Sequence, residues 1–242
     1  MQQPQTVALM VTCMVDQVMP EVGVATVKLL RRAGFRVEFP TKQTCCGQPF
    51  FNSGFRAQAA DLAKRTVEIF EDYAAVVVPG GSCVSMLRKE VPHLLAEWSG
   101  WHARAQELAA KTFEFSEFMV HQAGWEPPHI ASAPTVTYHD SCHMNRLLGL
   151  NAEPRQLLRA AGCEIIEMEE SDRCCGFGGV FSIRMPEVSN SMTAAKVRRA
   201  AATAADVLVT CDPGCLMQMR GLAGKQRIAH LAVLLEEVTR DA

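Results

Sequence analysis

Two sets of four cysteines with matching spacing dominate this sequence. They are Cys13, Cys45, Cys46 and Cys83, followed by Cys142, Cys174, Cys175 and Cys215. In both sets 32 positions separate the isolated first cysteine from an adjacent pair, and Gly47 or Gly176 follows that pair. The intervals from the pair to the last cysteine, 37 and 40 positions, are also similar. Such a repeat of a scarce residue predicts two soft-metal sites on one duplicated scaffold.

The signals for strands and helices also run twice in the same order. Apolar runs typical of buried strands precede the isolated cysteines: TVALMV, AAVVVP, TVTYHD and ADVLVT. Shorter strands are predicted at 36–39 and 163–168, and helices at 21–33, 55–73, 152–161 and 187–204. This alternation predicts an α/β fold of two pseudo-repeated parallel-sheet units with helices on both faces. Since each cysteine group follows a strand, the clusters should lie at the carboxyl ends of strands, where such sheets bind ligands.

Length and composition limit the number of domains and the classes of partner. The 242 residues accommodate a first domain at 1–124, a Pro-rich linker at 125–134 and a second domain at 135–242. A net charge of −2 does not favour nucleic acid, because the phosphate backbone demands a basic surface. No apolar run approaches the roughly 20 residues of a transmembrane segment, and the first residues do not resemble a signal peptide. Ten cysteines without an export signal favour metal or redox use over disulfides.

The spacing of the cysteines within each set indicates which kind of metal site they could form. Thiolates suit zinc, copper(I) and iron–sulfur clusters, but neither set contains the C-x2-C pair that zinc sites usually use. Adjacent cysteines point in different directions and fit better around an object with several metal atoms. Gly47 and Gly176 would let the backbone approach that object closely. Residue chemistry thus favours iron–sulfur clusters, with zinc and metal-free thiol redox chemistry as alternatives.

Several segments carry a specific resemblance to a known family: QTCCGQPFFNSG, VVPGGSCVSM, YHDSCHMNR, CCGFGGVFS and CDPGCLMQM. They resemble the cysteine-rich CCG-domain proteins, which include a cysteine-rich component of heterodisulfide reductase and the iron–sulfur subunits of glycolate and glycerol-3-phosphate dehydrogenases. The likeness covers almost the whole chain and is strongest to small stand-alone members. It implies an iron–sulfur electron-transfer subunit of a cytoplasmic complex that oxidises L-lactate to pyruvate.

The same resemblance implies partners and leaves alternatives open. The implied partners are a ferredoxin-type iron–sulfur subunit, a third small subunit and a small hydroxy-acid substrate. One alternative is a subunit for another hydroxy acid such as glycolate, or one with heterodisulfide-reductase-like thiol chemistry. An alternative of another class is a zinc or metal-free thiol protein that senses redox state.

One departure from the family concerns the number of thiols. In the heterodisulfide reductase branch each motif ends in C-x-x-C, which gives five thiols for a noncubane cluster. Here Met86 and Gln218 occupy the positions of the second cysteine in the two C-x-x-C motifs. Four thiols per half suffice for two [4Fe-4S] cubanes, and the choice between cubane and noncubane clusters stays open. Cys211 could add a fifth ligand in the second half, where the first half has Pro79, although a buried structural thiol is favoured.

Two histidines bracket the first cysteine of the second set. His139 and His143 could shuttle a proton, donate a hydrogen bond to sulfur or abstract the lactate hydroxyl proton, and they are the candidate catalytic residues. A histidine that holds the loop through hydrogen bonds is the favoured interpretation. Asp140 could orient either ring or cap the following turn. Cys163 is expected in the core, because Phe35 is its counterpart in the first half.

The remaining signals concern charge and cofactors. Basic residues near the adjacent pairs could offset cluster charge or hold a carboxylate, although surface salt bridges are favoured for each: Lys42, Arg56, Arg173 and Arg184. With the Met-rich segment after Cys215 they form the candidate docking surface. No G-x-G-x-x-G lies between a strand and a helix, so no flavin or nicotinamide site is expected. Because lactate oxidation moves two electrons and iron–sulfur clusters usually pass one, a non-autonomous subunit is predicted.

Overall fold

The computed structural model describes residues 5–242 and divides into two compact units, one ending at Phe118 and the other running from Met119 to Ala242. Each unit is built on a parallel sheet with helices between its strands, which confirms the predicted fold class. Within the described residues, no helix combines the length and the apolar character needed to cross a membrane.

The first unit has a four-stranded sheet. Its strands are β1 (Thr6–Leu9), β2 (Arg36–Glu38), β3 (Val76–Val78) and β4 (Thr112–Glu114), in the order β2-β1-β3-β4. Its helices are α1 (Cys13–Val18), α2 (Pro20–Arg32), α3 (Gln48–Asn52), α4 (Arg56–Phe70), α5 (Gly81–Ser85), α6 (Val91–Leu94), α7 (Trp101–Ala110) and α8 (Phe115–Glu117). A π-helical segment, Met86–Glu90, continues α5. The valines of β3 are completely buried, as expected for a strand in a covered parallel sheet.

The second unit has a three-stranded sheet. Its strands are β5 (Val136–Tyr138), β6 (Val207–Thr210) and β7 (Arg227–His230), in that order. Its helices are α9 (Ala152–Ala160), α10 (Val180–Arg184), α11 (Pro186–Ala202), α12 (Pro213–Arg220) and α13 (Leu231–Val238). Two further π-helical segments are Phe118–Gln122, which spans the division between the units, and His143–Leu148.

The prediction of a strand at 163–168 is wrong. Only one parallel bridge, Val136 to Ile165, joins this segment to β5. The chain then leaves the sheet edge, and Glu167 accepts hydrogen bonds from the Arg155 guanidinium instead of extending a strand. This bridge stands where β2 stands in the first unit, so the two sheets keep the same strand order.

The two helix endings that look alike in sequence also end alike in structure. Gly34 and Gly162 follow α2 and α9 with φ angles of 90° and 94°, in the left-handed region that glycine tolerates. The next residue in each case, Phe35 or Cys163, donates its backbone N–H to a carbonyl five residues earlier, at 3.1 and 3.0 Å. The repeat is therefore structural as well as sequential.

Strands β4 and β7, which the sequence patterns did not predict, complete the repeat. Glu114 pairs with Val78 at the end of β4, and His230 pairs with Thr210 at the end of β7. Both side chains then accept hydrogen bonds from backbone N–H groups of the following helix. Burial raises the pKa of Glu114 to about 8, so its carboxyl group is mostly neutral at physiological pH.

The Pro-rich segment 125–134 has neither helix nor strand and packs on the second unit. The backbone N–H of Ile130 donates to the carbonyl of Ala161 at 3.1 Å. A Cβ on Gly162 would lie 2.3 Å from the carbonyl oxygen of Ile130. Glycine at position 162 therefore permits both the positive φ angle and the close approach of the Pro-rich segment.

Candidate metal centres

The four thiols of the first set meet at the carboxyl ends of the strands of the first unit. Cys13 begins α1 just after β1, Cys83 lies in the first turn of α5 after β3, and the pair Cys45–Cys46 precedes α3. The sulfur of Cys13 lies 3.7 Å from that of Cys45, and the sulfur of Cys46 lies 3.4 Å from that of Cys83. Cysteines from three separate segments, after β1, before α3 and after β3, are thus brought into one cluster.

The second unit repeats this arrangement. Cys142 follows β5, Cys215 lies in the first turn of α12 after β6, and the pair Cys174–Cys175 lies in the loop before α10. The sulfurs of Cys175 and Cys215 are 3.1 Å apart, and the thiol of Cys142 hydrogen-bonds to Cys174. In both units the second cysteine of the pair is buried and the first is partly exposed.

Helix ends and thiol hydrogen bonds favour negative charge at both clusters. Cys13 and Cys215 lie in the first turns of α1 and α12, where the helix dipole favours a thiolate. This effect is outweighed, because the hydrogen bond to Cys45 and burial raise the pKa of Cys13, and, against the hydrogen bond with Cys175, burial raises the pKa of Cys215. The hydrogen bond from Cys13 lowers the pKa of Cys45, and the hydrogen bond from Cys142 likewise lowers the pKa of Cys174. One thiol in each cluster is therefore predisposed to lose its proton, as a soft metal ion requires.

The helix caps behind two of these cysteines are well formed. The hydroxyl of Thr12 accepts from the backbone N–H of Val15 at 3.2 Å. Asp212 accepts from the N–H groups of Gly214 and Cys215 at 3.0 and 3.4 Å. The order Asp-Pro at the start of a helix is a sequence signal that could have identified this second cap.

The glycines after the pairs are packed against helices. Gly47 and Gly176 have φ angles of 85° and 92°. A Cβ on Gly176 would lie 2.5 Å from the carbonyl oxygen of Ser189 in α11, whereas a Cβ on Gly47 would lie 3.4 Å from that of Ala59 in α4. The backbone N–H of Gly176 also points to the Cys174 sulfur at 3.4 Å. These glycines thus allow the cysteine loops to pack against α4 and α11.

The two histidines occupy different environments. His139 is completely buried, and neither ring nitrogen has a hydrogen-bond partner among the described residues. Burial, with the charge of Lys196 nearby, lowers the pKa of His139 to about 4. His143 is partly exposed, and its Nδ1 lies 3.7 Å from the Cys142 sulfur. Of the two candidate catalytic residues, His143 is the one with exposed surface.

The loop-holding role expected of His139 is performed by Asp140. Asp140 receives two hydrogen bonds from Arg155, at 2.7 and 2.8 Å, and one from Ser171 at 2.7 Å. Burial alone would raise the pKa of Asp140, but these bonds outweigh it and lower the pKa. Lys196, only 1% exposed, donates to the carbonyls of Glu170 and Ser171 just before the cysteine pair. No local sequence pattern marks these two roles, because Arg155 is 15 residues from Asp140 and Lys196 is 25 residues from Ser171.

The two cysteines outside the sets lie in the core. Cys163 is 4% exposed, as expected, and burial raises the pKa of its thiol to about 11. Cys211 is completely buried, and its sulfur accepts a hydrogen bond from the Tyr138 hydroxyl at 3.3 Å. This bond to a tyrosine favours the structural interpretation of Cys211 over a ligand role.

Each cluster borders a small cavity, and the two cavities differ in charge. In the first unit a cavity of about 280 Å³ is lined by Cys13, Cys45 and Asp16. In the second unit a cavity of about 200 Å³ is lined by Cys174 together with the basic side chains Arg173, Lys196 and Arg199. Only the second cavity offers positive charge to a small carboxylate.

The remaining basic candidates line neither of these two cavities. Lys42 lines a larger cavity with Arg65, whose guanidinium donates to the Lys42 carbonyl at 3.0 Å. Arg56 stacks on the Phe51 ring at 3.7 Å from its centroid. Arg184 is exposed at the end of α10.

The Met-rich segment after Cys215 is partly exposed. Met86 and Met219 are completely buried, whereas Met217 is 38% exposed. Met217 is thus the methionine of this segment that offers surface to a partner, and the docking surface stays a prediction. Exposed apolar side chains also follow the second adjacent pair in the sequence, at Ile183, which is 79% exposed, and Met185.

The donor set fits a soft metal centre. Each unit gathers four sulfur donors, whereas a site for Ca²⁺ or Mg²⁺ would need oxygen ligands. Among the described residues the cysteines form no disulfide. A ring nitrogen of His139 and the sulfurs of Cys175 and Cys215 all lie within 4.8 Å of one another. Leaving the buried imidazole unpaired would cost about 1–3 kcal/mol, and a group bound among these atoms would remove that cost.

Comparison with known proteins agrees with this geometry. The model of the cysteine-rich CCG domain matches residues 7–88 and 136–220. Lactate utilization protein A of Bacillus subtilis is 43% identical over 234 residues, covering 95% of this chain and 98% of that protein. The protein of the same name from Halalkalibacterium halodurans is 43% identical over 242 residues, covering 97% and 99%.

A solved structure supports the fold. The crystal structure of a hypothetical protein from Helicobacter pylori matches all of this chain and 50% of that chain, with a TM-score of 0.73 and 9% sequence identity. Each family match lies within one of the two units and contains the four clustered cysteines of that unit. This chain therefore belongs to the CCG cysteine-rich domain family, with two copies of the domain, and is related over nearly its whole length to proteins named lactate utilization protein A.

Proposed function

We propose that this chain is an iron–sulfur electron-transfer subunit of a complex that oxidises L-lactate to pyruvate. The observation that carries the proposal is the gathering of four thiols in each unit at the carboxyl ends of the strands. Curated relatives that are 43% identical are named for lactate utilization, which supports the substrate. The ferredoxin-type subunit, the third small subunit and the cytoplasmic location remain part of the proposal.

The residues would hold the centres as follows. Cys13, Cys45, Cys46 and Cys83 would bind one [4Fe-4S] centre, and Cys142, Cys174, Cys175 and Cys215 would bind the other. Such a centre accepts and passes on single electrons. The helix starts at Cys13, Cys83 and Cys215 would stabilise the negative charge of thiolate ligands. Four thiols in each unit favour the cubane form over the noncubane form.

A small hydroxy acid, if this chain contacts it, would lie in the second unit. The cavity beside Cys174 places Arg173, Lys196 and Arg199 around about 200 Å³. Positive side chains attract a carboxylate. His143, partly exposed beside Cys142, is the candidate to handle the hydroxyl proton in this unit.

Metal analysis of anaerobically purified protein tests the proposal. We expect brown protein with about equal iron and acid-labile sulfide, and a Cys45→Ser/Cys46→Ser variant that keeps only the iron of the second unit. The matched Cys174→Ser/Cys175→Ser variant should keep only that of the first. Colourless protein with stoichiometric zinc would contradict the proposal and favour a Cys-His zinc site. Complete loss of iron from either folded variant would indicate one shared centre.

A further inference from the structure

The ring of His139 is the buried polar group that the described contacts leave unexplained. It is completely buried, and both ring nitrogens are without a hydrogen-bond partner among the described residues. The loop does not depend on the ring, since the His139 backbone N–H donates to the Val209 carbonyl at 2.9 Å and Asp140 holds the loop to Arg155. A neutral imidazole always carries one N–H donor and one acceptor nitrogen. The protein therefore places a hydrogen-bonding group in a buried position where no described residue uses it.

The position of the ring identifies what could use it. One ring nitrogen lies within 4.8 Å of the sulfurs of both Cys175 and Cys215. These sulfurs come from the adjacent pair and from the first turn of α12, and both cysteines are buried. The ring thus lies against the two buried sulfurs of the second cluster.

The first unit has no equivalent group. His139 lies three positions before Cys142, and the residue three positions before Cys13 is Met10. Met10 is also completely buried. A thioether accepts hydrogen bonds weakly and donates none. The two units therefore share a scaffold but differ in one buried donor beside the sulfurs.

Resting on the proposed function, we propose that His139 donates an N–H hydrogen bond to a sulfur of the second unit's iron–sulfur centre, and that this bond makes that centre easier to reduce than the first. Hydrogen bonds to sulfur stabilise the extra negative charge of the reduced state and raise the reduction potential. Four cysteines already supply the ligands, so the imidazole acts as a positioning and tuning group and not as a ligand. The second centre would then have the higher reduction potential, and an electron would reside preferentially in the second unit.

The test replaces His139 with the residue of the first unit. In His139→Met, prepared on the Cys45→Ser/Cys46→Ser background so that only the second centre is present, we expect unchanged iron and a lower reduction potential. The reduced-to-oxidised ratio at a given potential should fall about tenfold, which is about 59 mV for a one-electron couple. The matched control Met10→Leu, on the Cys174→Ser/Cys175→Ser background, should leave the potential of the first centre nearly unchanged.

A second measurement does not depend on the stability of the variant. Protein with the native His139, labelled with ¹⁵N-histidine and carrying His143→Met, should show a weakly coupled nitrogen in pulsed EPR of the reduced second centre. The His143 substitution removes the other ring near this cluster, which lies beside Cys142. A strongly coupled, directly bonded nitrogen would overturn the proposal and make His139 a ligand.

The remaining outcomes separate this inference from the proposed function. Iron-replete His139→Met protein with an unchanged potential, or labelled protein without a coupled nitrogen, would refute the hydrogen bond alone. Loss of the second unit's iron in folded His139→Met protein would also refute it, since a donor to sulfur is not needed to hold iron. Wild-type protein without iron would refute the proposed function and, with it, this inference.

Discussion

Position within the fold distinguishes the ten cysteines more clearly than their chemistry does. The cysteines of the two sets lie at loop–helix junctions where their sulfurs face one another, as Cys175 and Cys215 do at 3.1 Å. Cys163 lies after the end of α9 and is 4% exposed, where it acts as a small apolar side chain. Cys211 directly follows β6, and its sulfur accepts a hydrogen bond from the Tyr138 hydroxyl. The same residue type thus serves as a ligand candidate or as core packing according to what surrounds its sulfur.

Cys163→Ala and Cys215→Ala should therefore have opposite effects on iron. We expect Cys163→Ala to keep its full iron content and to lose about 1 kcal/mol of unfolding free energy, because it removes one buried sulfur atom. Cys215→Ala should lose the iron of the second unit, since it removes one of four thiols there. Iron analysis and denaturant unfolding under anaerobic conditions measure both effects. Equal iron loss in the two variants would show that the ligands are assigned wrongly.

At the level of elements, the sequence predicted what is encoded locally. The matching ends of α2 and α9, each closed by a glycine with positive φ, follow directly from LLRRAG and LLRAAG. Strands β4 and β7 are three and four residues long, too short for a periodic pattern to separate them from loop. The strand predicted at 163–168 is lost where Glu167 pairs with Arg155, which lies in another element, α9. Long-range pairing of this kind cannot be seen in a single sequence.

The loops after the cysteine pairs give a prediction at this scale. Alanine at Gly176 or Gly47 would cost about 1–2 kcal/mol for the left-handed backbone. Gly176→Ala would in addition place its Cβ 2.5 Å from the Ser189 carbonyl oxygen and push the loop away from α11, whereas the nearest atom at Gly47 is 3.4 Å away. We expect Gly176→Ala to lower the denaturation midpoint and the iron content more than its matched control Gly47→Ala. Equal effects would mean that the contact with α11 does not position the cysteine loop.

The whole molecule is a duplication whose copies have diverged around a shared scaffold. Both units keep the strand order and the four thiols, which are the features that a metal centre requires. They differ next to the thiols: His139 stands where the first unit has Met10. The cavity beside Cys174 is lined by basic side chains, whereas the cavity beside Cys13 and Cys45 is lined by Asp16. Divergence in the surroundings of the shared thiols is what two centres with different reduction potentials or different partners would need.

The last prediction concerns the isolated chain, which should not oxidise L-lactate at a useful rate. The sequence has no G-x-G-x-x-G between strand and helix, and the GFGG of 176–179 belongs to the cysteine loop before α10. Iron–sulfur centres usually pass single electrons and lactate oxidation moves two, so we expect a partner subunit or another cofactor to take part. Iron-replete protein assayed with L-lactate and an artificial acceptor should turn over far more slowly than about 1 per second. Chemical reduction by dithionite serves as the control that the centres are active. Turnover at or above that rate would contradict the subunit assignment, and His143 and His139 would then be the first residues to replace.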